Sequence, residues 1–236
     1  MFESGLVQSV QQEGCPQQLV LPFSQVMMSA ALFQPDCPQR VLLLGLGAGS
    51  IVHFIHHHWQ TPTLDALDYD EQVLGLAKTH FHLPPAKPGW RYLQADAQTF
   101  LAQAPEAQYD WVMVDLFDAQ GMSALLWQPL FYQHCLKVLD AQGMLVMNLM
   151  VSVGAHPVPP SVVEAKLTGL IQTIRAAFSR CTFCVDVPGY ENLILVAFKA
   201  GPPADLNLER VAQRARELSP PWGFDLSSIW ARWVRV

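Results

Sequence analysis

The sequence predicts an α/β fold: a mostly parallel, seven-stranded sheet with helices on both faces, ending in a C-terminal antiparallel hairpin and preceded by a short N-terminal β-hairpin. Three observations carry that expectation. From Val41 onward, apolar strand-like runs alternate with helix-like segments, the pattern that wraps helices around a parallel sheet. The first run, Val41–Leu44, is continuously apolar and opens directly into Gly45-Leu46-Gly47-Ala48-Gly49, as expected of a strand buried on both faces and followed by a tight turn. Near the C-terminus, Thr182–Val187 and Leu193–Phe198 flank Pro188-Gly189, whose turn chemistry makes this pair a hairpin.

The elements follow in order. Residues 1–22 hold two short strand-like runs, Leu6–Val10 and Gln18–Leu21, around the turn residues Gly14-Cys15-Pro16. Residues 23–33 read as a short helix, broken by Pro35 and Pro38. After the glycine loop comes a helix from about Ser50 to Trp59, then a second strand, Leu64–Leu67. Glu71–His80 is a helix with Val73, Leu74 and Ala77 on one face. Tyr92–Gln94 is a third strand, Ala97–Ala104 a helix stopped by Pro105, and Trp111–Val114 the fourth strand. Pro129–Leu139 is a helix ended by Asp140-Ala141-Gln142-Gly143, and Met144–Asn148 the fifth strand. A proline-rich loop, Gly154–Pro160, precedes a long helix, Ser161–Phe178. An amphipathic helix over Leu208–Leu218, then Pro220-Pro221, lead into a tail whose Trp222, Trp230 and Trp233 are expected to anchor it by packing. The expected organisation is a hairpin over 1–22, a central α/β domain over 23–200, and a helical tail over 201–236 packed on that domain.

Composition narrows the function classes. Half of the 236 residues are apolar, 14% are charged and the formal net charge is −6. Phosphate-backbone binding needs clustered basic surface, and 14 Lys plus Arg spread along the chain offer none, so nucleic acid is not an expected partner. Membrane is not either: the longest apolar run, Met144–Val153, is interrupted by Asn148 and Ser152 and falls short of the roughly 18 residues a span needs. The N-terminus carries Glu3 and lacks the pattern of a signal peptide. With five irregularly spaced cysteines, the expectation is a cytoplasmic protein.

On a parallel sheet, ligands bind beyond the carboxyl ends of the strands. The chain places its candidate residues there. Gly45, Gly47 and Gly49 follow the first strand, where the backbone can approach a ligand closely. The dinucleotide pattern would put another glycine at position 50, which is Ser50, so a nucleoside is favoured over a pyrophosphate. Asp68, with Tyr69 and Asp70, follows the second strand, 19 residues beyond Gly49, a spacing at which an acid accepts from ribose hydroxyls. Asp96-Ala97 follows the third strand, where a carboxylate can accept from an adenine amino group. Asp115 and Asp118 follow the fourth. Any one of these acids could be a helix cap; acids after three successive strands behind a glycine loop are less readily coincidence.

Val41–Gly49, Leu67-Asp68-Tyr69-Asp70 with Val73 and Ala77-Lys78, Asp96-Ala97 with Phe100-Leu101, and Tyr109-Asp110 through Asp115 to Asp118 resemble spermidine synthases in order and spacing. The resemblance runs from about Leu21 to Phe198. It implies the Rossmann-like AdoMet-dependent methyltransferase fold, Asp68 on the ribose, Asp96 and the Ala97 backbone on the adenine, and Asp115 facing the transferred group. It also implies decarboxylated S-adenosylmethionine, or S-adenosylmethionine itself, as co-substrate, with no metal, an amine or other nucleophile as acceptor, and a homodimer as the assembly to look for. The chain departs from the family at Ala48, where an acid helps hold the aminopropyl amine, and at Phe23-Ser24-Gln25, where Tyr-Gln-Glu is usual. The family's N-terminal β domain corresponds here to about 22 residues. The match is closest to the spermidine synthase-like branch.

Three functions stay open at this point. One is aminopropyl transfer to an amine, with Asp115 and Asp118 attracting the cation and taking its proton. The second is methyl transfer from AdoMet to an unnamed acceptor. The third is nucleoside binding without catalysis. Two other features carry less. His53 and His57 lie four apart on the helix after the glycine loop and can share a face, but no acidic or Cys partner is fixed nearby. Cys181-x-x-Cys184 lies on a strand, where residues three apart face opposite ways.

Overall fold

The computed structural model describes residues 9–34, 36–59, 63–118, 121–150, 160–178, 182–202 and 206–236. Its first element is helix α1 (Pro22–Met28), which opens on a proline at its first position and runs on as a 3₁₀ turn over Ser29–Phe33. The expected helix over 23–33 is therefore two pieces. Before it, the N-terminal segment is tied by an antiparallel bridge between Gln11 and Leu19; most of the expected strand Leu6–Val10 lies outside the described residues.

Strand β1 (Arg40–Leu44) leads through the glycine loop into α2 (Ser50–His58), followed by β2 (Thr63–Asp68), α3 (Glu71–Thr79), β3 (Trp90–Gln94), α4 (Ala97–Gln103) and β4 (Tyr109–Val114). A small hairpin of β5 (Phe117–Asp118) and β6 (Gly121–Met122) precedes α5 (Pro129–Val138) and β7 (Leu139–Met150). Then come α6 (Pro160–Ala177), β8 (Thr182–Asp186), β9 (Asn192–Phe198), α7 (Leu208–Trp222), α8 (Leu226–Trp230) and β10 (Val234–Arg235).

The main sheet has eight strands in the order β10-β8-β9-β7-β4-β1-β2-β3, one more than expected. The parallel block is β7-β4-β1-β2-β3. β9, β8 and β10 are each antiparallel to the strand before them in the sheet. The additional strand, β10, is two residues long and has no periodicity to read. β7 begins at Leu139, the expected last residue of the helix, and takes in Asp140-Ala141-Gln142-Gly143, where the sequence suggested a turn; its pairing with β4 shifts register between Tyr109 and Trp111.

Successive residues of β1 serve opposite faces. Val41 and Leu43 pack with α1, α2 and the C-terminal helices, while Leu42 and Leu44 pack with the layer of α4, α5 and α6. This is the period-two alternation of a strand covered on both sides. The tail closes the first face. Trp222 is 5% exposed and meets Phe54 of α2 edge-on with ring centroids 4.8 Å apart. Trp230 and Trp233 both meet Phe33 edge-on, and the Trp233 indole donates to Ser29 Oγ at 3.1 Å.

Among the described residues no helix is long and apolar enough to cross a membrane, and no group of three or more His, Cys, Asp and Glu is placed to hold a metal ion. His53 is buried, its Nε2 2.8 Å from the Phe81 carbonyl oxygen. His58 packs at a tilt against Phe54 and Trp222, and burial holds its pKa down to about 4. Cys181 lies outside the described residues.

Candidate nucleoside and acceptor site

The carboxyl ends of β1, β2 and β4 are drawn together by backbone bonds that continue past the strands. Gly45 N–H donates to Leu67 O at 3.0 Å, and Asp115 N–H donates to Leu44 O at 2.8 Å. A Cβ at Gly45 would collide with the Asp115 carbonyl oxygen, so this glycine lets the loop lie flat against the end of β4. Gly45, Gly47 and Gly49 all have positive φ, at 90°, 54° and 85°, and Gly49 is the N-cap of α2.

Asp68 closes over this loop. Its Oδ2 accepts from Gly47 N–H at 3.1 Å and its Oδ1 from Asp70 N–H at 3.2 Å. The carboxyl is half-buried, and desolvation raises its pKa, opposed by the bonds from the backbone. A carboxylate offers about four acceptor positions, so two hydroxyl donors can join the two amides. Tyr69 next to it is exposed. Ala48 and Leu46 are buried, and Ala48 N–H reaches Ser9 Oγ at 3.4 Å; the segment before α1 thus lies on the glycine loop.

Asp96 is the N-cap of α4. Its Oδ1 accepts both from Thr99 N–H at 2.8 Å and from Thr99 Oγ1 at 2.7 Å. Ala97 is the first residue of α4, a position whose N–H has no partner within the helix. The cap and a ligand contact are compatible here, since both cap bonds fall on one oxygen.

Asp115 lies one residue beyond β4. Its Oδ1 accepts from Asn148 Nδ2 at 2.9 Å, and Asn148 Oδ1 in turn accepts from Asn192 Nδ2 at 2.8 Å. Burial pushes the Asp115 pKa up to about 6; the Asn148 bond opposes this and the Asp68 charge adds to it. Asp118 is the second residue of β5, paired with Gly121; its side chain lies outside the described residues. The β5–β6 hairpin reaches β7 through Met122 Sδ, 3.1 Å from Met150 N.

The structure therefore places Gly45, Gly47, Gly49, Asp68, Tyr69, Asp96, Ala97, Asp115 and the backbone of Asp118 at one end of the sheet, beyond its parallel strands. Sequence reasoning missed Asn148 and Asn192. The signal for Asn148 was a single amide inside the apolar run of β7. For Asn192 there was none, because its position depends on the antiparallel register. Tyr190 was also missed: it meets Phe23 edge-on, centroids 6.2 Å apart, two residues before Asn192.

The profile of the family described as spermine/spermidine synthase domain matches residues 21–203. A polyamine aminopropyltransferase of Neisseria meningitidis is 25% identical over 228 residues, spanning 97% of this chain and 82% of that protein. The structure of human methyltransferase-like protein 13 in complex with SAH superposes with a TM-score of 0.70 at 20% identity, over 86% of this chain and 93% of that one. Spermidine synthase from Thermotoga maritima superposes with a TM-score of 0.63 at 17% identity, over 83% of this chain and 65% of that one. With its family profile matched over most of its length, this chain belongs to the spermine/spermidine synthase family.

Proposed function

We propose that this protein transfers an aminopropyl group from decarboxylated AdoMet to an amine acceptor. The observation that carries the reading is Asp115. It is a half-buried carboxyl with an elevated pKa, held on one oxygen by Asn148, directly beside the glycine loop. The family, and relatives named polyamine aminopropyltransferase, support it.

In this reading Asp68 receives the ribose hydroxyls, Asp96 and Ala97 N–H the adenine edge, and the glycine loop the backbone-close side of the nucleoside. Tyr69 covers its exposed side. The amine nitrogen attacks the methylene carbon bound to the sulfonium. The new C–N bond forms as the C–S bond breaks, and sulfur keeps the electron pair, giving methylthioadenosine. The donor is already activated, so the protein contributes mainly alignment. Asp115 draws in the cationic acceptor and takes one proton from it, so that the nitrogen lone pair is free at the moment of attack. In the same reading Asp118, three residues on, adds negative charge for the cationic acceptor.

Ala48 favours a second reading. It puts a buried methyl where the family carries an acid for the donor's amine, which suits methyl transfer from AdoMet. Calorimetric titration with decarboxylated AdoMet, AdoMet and methylthioadenosine separates the two. We expect the decarboxylated donor to bind at least about tenfold, or 1.4 kcal/mol, more tightly than AdoMet. The reverse preference replaces aminopropyl with methyl transfer. Binding without turnover on a panel of amines leaves only a nucleoside-binding protein.

A further inference from the structure

We infer that Asn192 and Asn148 are positioning residues for Asp115, a two-amide relay that occupies one carboxyl oxygen and leaves the other to exchange a proton with the acceptor. The inference rests on the site reading above and adds to it a part supplied by the antiparallel half of the sheet.

The relay follows from strand register. Val114 of β4 pairs with Met147 of β7, which sets Asp115 beside Asn148. Asn148 pairs with Ile194 of β9 and Met150 with Asn192. Asn192 is thus the diagonal neighbour of Asn148 on the same face of the sheet, within reach of its side chain. Asn148 is 1% exposed, so its amide cannot turn to water for partners. A buried primary amide can present either its oxygen or its nitrogen in a given direction. Asn192 Nδ2 donates to Asn148 Oδ1, and with that oxygen engaged Asn148 Nδ2 faces Asp115 Oδ1.

The consequence is directional. Oδ1 of Asp115 faces a fixed N–H and is a poor place for a proton, so protonation falls on Oδ2. The charged form gains a hydrogen bond that the neutral form does not need, so the relay works against the burial that raises this group. Among the described residues, Asp68, at the end of β2, is the charge acting on Asp115, in the opposite sense to the relay. The glycine loop packed on it from β1 carries no charge, and Glu191 lies immediately before β9, next to Asn192. Without Asn192, the Asn148 amide is free to reverse and offer its oxygen, which favours a protonated Asp115.

The test follows the Asp115 carboxyl itself. In protein carrying ¹³C-labelled aspartate, the Asp115 resonance is the one lost in Asp115→Asn. Its midpoint is expected to rise by about 0.5 pH unit or more in both Asn148→Leu and Asn192→Leu, since each withdraws stabilisation from the charged form. Asn192 is only partly buried, so its variant carries the test if Asn148→Leu does not fold. Asn192→Gln keeps an amide donor and is expected to hold the wild-type midpoint, which a merely structural role would not require. Unmoved midpoints in the leucine variants overturn the relay. Methylthioadenosine titrated into the unaltered protein reports separately on the site reading: no binding would sink that reading while the carboxyl titration still decides the relay.

Discussion

A methyl group added to Gly45 would have to occupy space held by the carbonyl oxygen of Asp115. That oxygen belongs to the backbone at the end of a central strand and cannot swing away. The same methyl at Gly47 meets only Ser9 Oγ, at 3.5 Å. Gly45→Ala is therefore expected to destabilise the fold by about 3 kcal/mol or more, combining overpacking with a left-handed backbone. Gly47→Ala should cost only about 1–2 kcal/mol, the penalty of its φ, yet weaken methylthioadenosine at least about tenfold by filling the space above the loop. Urea denaturation and calorimetry read the two effects. Equal stability of the two variants would remove the distinction. The sequence announced that this loop needs glycines, because three of them follow an apolar strand. It did not announce which glycine serves the fold, since that depends on how close β4 comes.

At the scale of elements, the strand ends gather the acids and the burial there changes how they titrate. Asp115 has a folded pKa of about 6, above the roughly 3.9 of an exposed aspartate. Its ionisation therefore opposes folding. The cost is absent below about pH 4, grows between pH 4 and 6, and persists above. Asp115→Asn keeps an acceptor for Asn148 and removes the cost. The variant is expected to be more stable than the unaltered protein at pH 7–8, by on the order of 2 kcal/mol, with the difference vanishing toward pH 4. His58, held near 4 by burial, acts in the opposite sense, losing stability as pH falls from about 6.5. Only the difference between variant and unaltered protein isolates Asp115; a difference independent of pH would refute the shift. The acids after β2, β3 and β4 could be read from the sequence because parallel strands deliver their ends to one edge. Asn148 showed only as a lone amide in an apolar run, and Asn192, which holds it, could not be read, because antiparallel pairing brings in residues distant along the chain.

Across the whole molecule, the C-terminal segment completes one face of the sheet. Trp222 fills the space beside Phe54, and α7 keeps its last turn despite Pro220 and Pro221 inside it. Trp222→Ala is expected to cost about 3–5 kcal/mol, the range for emptying a buried aromatic site, measured by chemical denaturation. A loss below about 1 kcal/mol would mean that the tail rests on the domain without supporting it. The tryptophans were visible in the sequence as anchors, whereas α8 and β10 are too short to leave a pattern. One feature of the sheet reaches further: its strands run one way from β3 to β7 and reverse at β9. On the proposed reading, the nucleoside is met entirely from the parallel strands, while Asp115 is steadied by an amide of β7, the last of them, whose own partner arrives from the first reversed strand. The two substrates are then under separate structural control. Changes in the β8–β9 hairpin can retune which nucleophile is accepted while the donor pocket is inherited intact, a division that lets one scaffold diversify its acceptors without relearning its donor.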